Sequence, residues 1–258
     1  MLNFRVVEDY LKYHQVKPDP ELADLVESFW RLENHSEEDK EIIVVPDGRV
    51  DLFISRSSKQ GFHITLAGLE SEPDCVPFEA NTLIFAISFK LPGIEHLINQ
   101  PISSLLNEVI LLPDDFWGFD QNDLSDFEDF CAKATKIMRE ILSGQQIDPR
   151  KQQLFELVYS HHGEIPIHEL AKRIHWSERQ INRYFKSQFG LSLKSYCTIL
   201  RFRASFSHIK EGKLSPEKNF TDQAHFIREI KRLSGVTPKE LLKNVNDRFI
   251  QFSTLNRK

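Results

Sequence analysis

Short apolar runs separated by turn residues dominate the first third of the chain. Residues 41–55, with the sequence EIIVVPDGRVDLFIS, place two β-rich runs on either side of Pro46-Asp47-Gly48. Because proline fixes φ and glycine accepts positive φ, this tripeptide predicts a reversal between two antiparallel strands. Further strand-like runs follow at residues 62–67 and 83–89. The recurrence predicts a small antiparallel barrel or sandwich, with a short helix from Pro92 to Ile98 packed on it.

From Asp123 to Leu142 the spacing of apolar residues becomes that of a helix. Apolar side chains recur every three or four positions, at Leu124, Phe127, Cys131, Ala134, Met138 and Ile141. This spacing predicts an amphipathic helix of about five turns. Its apolar stripe can pack on the predicted barrel or against the same helix of a second subunit, and the pattern leaves both alternatives open.

Helical spacing continues in the rest of the chain after a break at residues 143–149, which contain glycine and proline. We place a domain boundary there and expect residues 150–161 to form a short helix. A second helix is predicted from Ile167 to Ile174, with one buried face. After the turn His175-Trp176, a third helix begins at a capping box, Ser177 with Gln180, and ends at Gly190.

This helix, short turn and helix match the description of a helix-turn-helix unit. On the second helix, Ile181, Phe185 and Phe189 are expected to point inward. A longer helix is predicted from Leu193 to Lys210, followed by a second basic helix over residues 222–233 with its core at Phe226, Ile230 and Leu233. Two such helices, rigidly joined, could enter successive major-groove segments ~34 Å apart.

Charge divides the chain at the same place. The 258 residues are 40% hydrophobic and 28% charged, an ordinary globular composition, and carry a net charge of −5. Residues 1–145 have a net charge of −15, whereas residues 146–258 have a net charge of +10. Such an asymmetry indicates that the second part meets a polyanion, although a solvated basic face is the alternative. The chain shows no apolar run long enough for a membrane span and no signal peptide, so we expect a cytoplasmic protein.

Nothing in the sequence predicts catalysis. Cys75, Cys131 and Cys197 are too far apart for a metal knuckle and are expected to be buried free thiols. The histidines of the first half show no metal-ligand spacing, and the common catalytic and phosphate-binding motifs do not occur. We therefore expect no enzyme, no metal and no cofactor. A barrel of this size could enclose a small ligand, which the sequence does not identify.

The two basic helices have the side chains that read and neutralise double-stranded DNA. Arginine can bind guanine through two hydrogen bonds, asparagine can pair with adenine, and lysine neutralises phosphate. The predicted DNA-binding residues are Ser177, Arg179, Gln180, Asn182, Arg183, Lys186, Gln223, His225, Arg228, Lys231 and Arg232.

Two stretches, IHELAKRIHWSERQINRYFKSQFG from Ile167 to Gly190 and DQAHFIREIKRLSGVTP from Asp222 to Pro238, resemble the DNA-binding domain of AraC/XylS-type bacterial transcription regulators. The resemblance covers about residues 150–242 and implies a sequence-specific activator or repressor. It places base contacts at Arg179, Asn182, Arg183, Gln223, His225 and Arg228. Through Phe29-Trp30 and VPDGRVDLF, the first half is more weakly similar to the cupin-like domain of some of these regulators. That similarity implies a small-molecule effector or a homodimer.

The sequence departs from the AraC pattern at two places. His175 occupies a turn position that the family commonly fills with glycine, and histidine can adopt the left-handed conformation at modest cost. The segment after Gly212, KLSPEKNFT, is too short and polar for the full first helix of a second helix-turn-helix unit. We therefore expect the first unit to dominate base recognition.

Together these patterns predict an α+β protein. A small antiparallel, cupin-like β-barrel with flanking helices would occupy residues 1–145 as a sensor or dimerisation domain. An all-α domain with two helix-turn-helix units joined by a linker helix would occupy residues 150–242, before a tail at residues 243–258. The predicted function is a DNA-binding transcription regulator. The alternative is an interaction protein whose helix-turn-helix surface binds an acidic protein surface or is autoinhibited by the chain's own acidic half.

Overall fold

Antiparallel strands form the first half of the molecule. The structure is a computed structural model that describes residues 5–8, 10–215, 220, 222–245 and 248–254. The strands are β1 (Arg5–Glu8), β2 (Leu11–Val16), β3 (Val26–Asn34), β4 (Lys40–Val44), β5 (Val50–Ser57), β6 (Gly61–Ala67), β7 (Asp74–Phe78), β8 (Thr82–Phe89) and β9 (Val109–Leu112).

Seven of these strands form one sheet in the order β1-β2-β3-β8-β5-β6-β9, and β4 and β7 form a separate ribbon. Within the described residues β1 and β9 lie at opposite edges and do not pair, so the large sheet is open. This corrects the expectation of a closed barrel. The physical reason is that β4 and β7 hydrogen-bond to each other and add no strands that could join the two edges.

The predicted reversal at Pro46-Asp47-Gly48 does not join paired strands. The strand before it, β4, pairs with β7, whereas the strand after it, β5, pairs with β6 and β8. The connecting residues are buried, and the Gly48 carbonyl accepts a hydrogen bond from the Tyr196 hydroxyl at 3.0 Å. The tripeptide therefore connects the ribbon to the sheet, and it contacts Tyr196 of the second half.

Ten α-helices among the described residues complete the fold. Short α1 (Leu91–Gly93) continues as a wider turn over Ile94–Ile98, where a helix was predicted. The remaining helices are α2 (Phe127–Leu142), α3 (Pro149–Ser160), α4 (Ile167–Ile174), α5 (Glu178–Phe189), α6 (Leu193–Ala204), α7 (Phe206–Lys210), α8 (Gln223–Ser234), α9 (Pro238–Lys243) and α10 (Ile250–Ser253). The predicted helix from Leu193 to Lys210 is thus divided at Ser205, whose hydroxyl donates to the Phe202 carbonyl at 2.6 Å.

The apolar stripe of α2 packs on the chain's own sheet. Phe127 and Phe130 are buried, with ring centroids 5.1 Å and 5.4 Å from that of Phe85 on β8. The helix begins at Phe127 because the Asp126 side chain accepts hydrogen bonds from two backbone N–H groups of the first turn. Asp123 and Leu124, where the predicted helix starts, belong instead to a separate 3₁₀ turn over Gln121–Leu124.

One buried apolar cluster extends through both halves. It joins residues of the first half such as Val45 and Leu91 to residues of the second half such as Phe155, Leu193 and Tyr196. A chain of hydrogen bonds crosses the same boundary: the Leu91 N–H donates to the Tyr159 hydroxyl at 3.0 Å, which contacts the Tyr196 hydroxyl at 2.9 Å. The domain boundary near residue 145 stays a prediction.

The last described residues return to the first half. The Phe249 backbone bridges to Ile43, and the Gln251 side chain accepts a hydrogen bond from the Val45 N–H at 3.0 Å. Residues 248–254 of the predicted tail therefore lie against β4 and its loop.

Of the three cysteines, Cys197 is buried and Cys131 is half-buried. Cys75 is exposed because it lies on the outer ribbon, which corrects the expectation of three buried thiols. No helix among the described residues combines the length and apolarity needed to cross a bilayer.

Candidate nucleic-acid interface

The turn between α4 and α5 has the geometry that the sequence predicted. His175 ends α4 in the left-handed conformation, with φ 56° and ψ 36°. The next N–H, that of Trp176, donates to the Ala171 carbonyl at 3.1 Å and so completes the helix end. Histidine tolerates this conformation better than a β-branched residue would. The departure from glycine at this position therefore leaves the turn intact.

The capping box fixes the start of α5. The Ser177 hydroxyl accepts a hydrogen bond from the Gln180 N–H at 3.2 Å, and the Gln180 side chain accepts one from the Ser177 N–H at 2.8 Å. Two backbone donors are satisfied in this way. Both residues were predicted to bind DNA. Their side chains are exposed, but each is hydrogen-bonded to the backbone of the other, so they position the helix rather than extend from it.

One face of α5 is apolar and the opposite face is basic. Ile181, Phe185 and Phe189 are buried in the core, as predicted. Arg179, Arg183 and Lys186 are exposed on the other side, and Asn182 is half-buried between the two. Within the part of the chain that the structure describes, these three cations have no carboxylate within 4.0 Å. The helix thus presents a row of solvated positive side chains along about two turns.

The far end of α5 is attached to the sheet half. The Ile102 N–H donates a hydrogen bond to the Gln188 carbonyl at 2.8 Å. The Tyr184 hydroxyl donates to Glu95 Oε2 at 2.5 Å, and the ammonium group of Lys151 binds Glu95 Oε1. Burial, the largest cause, and the bond to Glu95 both raise the pKa of Tyr184, so the phenol stays a hydrogen-bond donor.

Sequence reasoning missed this attachment. Tyr184 lies between the basic and apolar faces of α5, and its ring centroid is 5.6 Å from that of Trp176 in the turn. An aromatic side chain beside a basic face is a weak signal for such a contact. The partner, Glu95, is 89 residues away in sequence, and its position could not be read from local spacing.

The second basic helix, α8, has the predicted core and caps. Phe226, Ile230 and Leu233 are buried, Asp222 caps the first turn, and Gly235 ends the helix in the left-handed conformation. Arg228 and Lys231 are exposed, and exposed Arg232 pairs with Glu229 at 3.1 Å.

Two predicted reading residues of α8 already have contacts within the protein. The Gln223 side-chain amide donates to the Leu214 carbonyl at 2.8 Å. The His225 ring is half-buried, and its centroid lies 5.8 Å from that of Phe220. Fewer side chains of α8 than of α5 therefore extend freely from the surface.

The element before α8 differs from the one before α5. The five-residue α7 packs near α9, and twelve residues separate it from α8. The stretch predicted to be too short for a helix lies partly outside the described residues, at positions 216–219 and 221. Among the residues that are described, no helix as long as α4 stands between α6 and α8.

Comparisons with known proteins bear on both halves. Residues 170–244 match a family model described as a helix-turn-helix domain, and residues 14–111 match a domain of unknown function (DUF6597). An uncharacterized HTH-type transcriptional regulator, YtdP of Bacillus subtilis strain 168, is 29% identical over 80 residues. That match covers 29% of this chain and 10% of the relative, so the chain spans about a tenth of the relative's length.

Solved structures of ToxT from Vibrio cholerae are also similar. One aligns with a TM-score of 0.45 and 11% identity, covering 83% of this chain and 97% of that chain. A second, described as wild-type ToxT bound to an unsaturated fatty acid, aligns with a TM-score of 0.38 and 13% identity over 90% of this chain and 94% of that chain.

Proposed function

We propose that this chain is a sequence-specific, DNA-binding transcription regulator that reads the major groove with α5. The match of residues 170–244 to a helix-turn-helix model supports the proposal. The exposed row of Arg179, Arg183 and Lys186 on a capped helix carries the proposal. The major groove admits an α-helix, and its base pairs present distinct patterns of donors and acceptors. The capping residues Ser177 and Gln180 fix the end of the helix at which base contacts are made in this motif.

Each exposed side chain of α5 has a role suited to its chemistry. Arg183 and Arg179 can bind guanine O6 and N7 in a bidentate manner, and Asn182 can bind adenine. Lys186, one turn further along the helix, is suited to a phosphate oxygen, which fixes register without reading sequence. Phosphate contacts from the basic half supply affinity that falls with salt.

We assign α5 the larger share of base recognition. Gln223 and His225 of α8 are held by Leu214 and Phe220, so reading bases would require breaking those contacts first. Arg228, Lys231 and Arg232 stay exposed and are suited to phosphate. An equal loss of base discrimination in Arg183→Ala and Arg228→Ala would contradict this assignment.

Selection of binding sites from random duplexes with the purified full chain tests the function directly. Two enriched blocks about one turn apart indicate that both helices read bases, and one block indicates α5 alone. No enrichment over input would refute sequence-specific binding.

Fluorescence anisotropy on the selected duplex then tests Arg183. We expect Arg183→Ala to cost about 1 to 3 kcal/mol, about 5- to 150-fold in Kd, and to relax preference at one base pair. Arg56→Ala serves as the control because Arg56 is an exposed arginine on β5, away from α5. If Arg183→Ala weakened all duplexes equally, Arg183 would be a phosphate contact.

The alternative is a helix-turn-helix surface that binds an acidic protein, including the chain's own acidic half. The lack of a carboxylate beside Arg179, Arg183 or Lys186 in the described part of the chain favours DNA over masking. Polyglutamate of matched charge distinguishes the two in the anisotropy assay. Under the DNA proposal it displaces the selected duplex no better than a scrambled duplex does, whereas strong displacement would favour the alternative.

A homodimer and a small-molecule effector also belong to this proposal. Val109 and Leu111 on the edge strand β9 are 58% and 70% exposed and form the apolar surface to test for dimerisation. Light scattering on Leu111→Glu, with wild-type protein as reference, measures whether a dimer forms there.

A further inference from the structure

The face of the large sheet that does not pack on α2 borders a cavity of about 480 Å³. The ribbon of β4 and β7 forms the opposite wall, with Ile42, Val44 and Val76 turned toward the space. Arg203 and Phe206 from α6 and α7, and Ile250 from α10, close it from the second half. The cavity is therefore built by both halves of the chain.

At one end of the cavity the cations gather on one carboxylate and leave two others without a cation in the described part of the chain. Glu27, Asp47, Asp51 and Glu70 line this end, together with Lys17, Arg49 and Arg203. These three cations all contact Glu27, at 2.8 Å from Lys17, 3.2 Å from Arg49 and 3.6 Å from Arg203, and Lys90 outside the lining reaches it at 3.9 Å. Asp47 shares Arg49 at 3.7 Å. Among the described residues, no lysine or arginine nitrogen lies within 4.0 Å of Asp51 or Glu70.

An aromatic wall stands beside Asp51 in the cavity that Glu70 also lines. The ring centroids of Trp30 and Phe53 are 5.6 Å apart, and those of Trp30 and Tyr13 are 6.2 Å apart. The Trp30 indole donates a hydrogen bond to Ser88 Oγ at 2.9 Å, and the Ser88 hydroxyl in turn donates to Asp51. This chain of hydrogen bonds fixes the tryptophan next to the Asp51 carboxylate.

Burial and neighbouring carboxylates disfavour negative charge on Asp51 and Glu70. Burial, with the neighbouring Asp47 as the next cause, raises the pKa of Asp51 to about 7. Burial, followed by the neighbouring Asp47 and Asp51, raises the pKa of Glu70 well above its ordinary value. A cation placed between them would favour both carboxylates in their charged form.

We propose that this cavity binds an organic cation with an apolar tail. The ammonium group would lie between Asp51 and Glu70 against the faces of Trp30 and Phe53, since aromatic faces attract cations. The tail would extend toward the apolar end of the cavity, where Leu32, Phe78 and Ile84 line the walls. An anion would bring a like charge near four carboxylates, which is unfavourable. The role of the ligand as an effector rests on the function proposed above.

The walls connect such a ligand to the reading helices. Arg203 and Phe206 belong to α6 and α7, which follow α5 in the chain and precede α8. Arg203 also contacts Glu27, the carboxylate that holds Lys17 and Arg49. A cationic ligand would compete with Arg203 for the carboxylates at this end of the cavity. Loss of the Arg203–Glu27 contact would then change the position of α6.

Isothermal titration calorimetry on the full chain without DNA tests the ligand class. The probes are 4-phenylbutylamine, its neutral counterpart 4-phenylbutan-1-ol, its anionic counterpart 4-phenylbutanoate, and glucose as a polyol. We expect the amine to bind at least about tenfold more tightly than the alcohol, with no measurable binding of the acid. Equal binding of amine and alcohol, or tighter binding of the acid or glucose, would overturn the proposal.

Variants locate the site. Asp51→Asn and Glu70→Gln should each weaken amine binding by about tenfold or more while leaving alcohol binding unchanged. Glu72→Gln is the matched control because Glu72 is an exposed glutamate two residues from Glu70. Circular dichroism establishes that each variant is folded, and undiminished amine binding by folded Asp51→Asn would place the cation elsewhere and refute the site.

A separate measurement distinguishes this inference from the function on which its effector role rests. Anisotropy on the selected duplex, with and without the amine, measures coupling, and we expect a change in Kd of at least about fivefold. Amine binding without any DNA binding would support the cation site and refute the regulator. DNA binding that the bound amine does not change would refute the effector role.

Discussion

Replacing Asp51 by asparagine should make the protein more stable at alkaline pH. The Asp51 carboxyl lies on β5, accepts a hydrogen bond from the Ser88 hydroxyl and has its pKa raised from 3.8 to about 7, chiefly by burial. Between those two pH values the folded protein holds a proton that the unfolded chain has released. The free energy of unfolding therefore falls as pH rises through this window and stays low above pH 7.

The size of the effect follows from the separation of the two pKa values. Each pH unit of separation corresponds to about 1.4 kcal/mol, so the upper limit is about 4 kcal/mol. Solvent reaches the half-buried Asp51 through the cavity and reduces this, and we expect about 2 kcal/mol. Asparagine has nearly the same size and keeps an oxygen that can accept from Ser88. The substitution therefore removes the charge with little change in packing.

Urea unfolding of wild-type and Asp51→Asn protein at pH 3.5, 6 and 8 measures the effect. The variant should nearly equal wild type at pH 3.5, below the ordinary pKa of 3.8, and exceed it by about 2 kcal/mol at pH 8. Asp114→Asn, in an exposed loop, is the control and should show the same difference from wild type at all three pH values. An Asp51→Asn protein less stable than wild type at pH 8 would contradict the reasoning, because it would mean that the Asp51 charge is compensated.

Other substitutions test the helix-turn-helix unit and its attachment. Ser177→Ala removes the cap of α5 and should cost about 1 kcal/mol in urea unfolding, whereas Ser187→Ala, at an exposed serine within α5, should cost less. Tyr184→Phe deprives Glu95 of its hydroxyl donor and should cost about 1 to 2 kcal/mol; an unchanged midpoint would show that Lys151 satisfies Glu95 alone. Gly163→Ala should cost at least about 2 kcal/mol, because φ is +74° and the added Cβ would lie 2.5 Å from the Cys197 carbonyl oxygen. Gly144→Ala, also at positive φ but with open space around it, separates the backbone strain from the clash in the same urea unfolding experiment.

The features predicted from sequence are those whose physical cause is local. Ser177 and Gln180 satisfy each other's backbone groups three residues apart, and Gly190 ends α5 by its own conformational freedom. The apolar spacing of α2 fixes which face is buried, although only the structure identifies the sheet that Phe127 and Phe130 contact. Each of these signals is complete within a few turns of chain.

Strand pairing and the cavity could not be predicted in the same way. The apolar run in β4 is compatible with pairing to β5 or to β7, so the turn at Pro46-Asp47-Gly48 suggested the wrong partner. On β5, Asp51 and Phe53 alternate with buried Leu52 and Ile54, a pattern typical of a face turned to solvent. That face is covered by the ribbon and by α10, whose residues lie far away in the sequence.

The buried apolar cluster that extends from Val45 and Leu91 into Phe155 and Tyr196 determines how the two ends of the molecule communicate. Close-packed interiors compress little and transmit strain. We therefore expect a ligand bound beside β5 to affect α5 as a small tilt within one packed unit, in contrast to the motion of two units about a linker. Calorimetry should accordingly record a single endotherm for the whole chain.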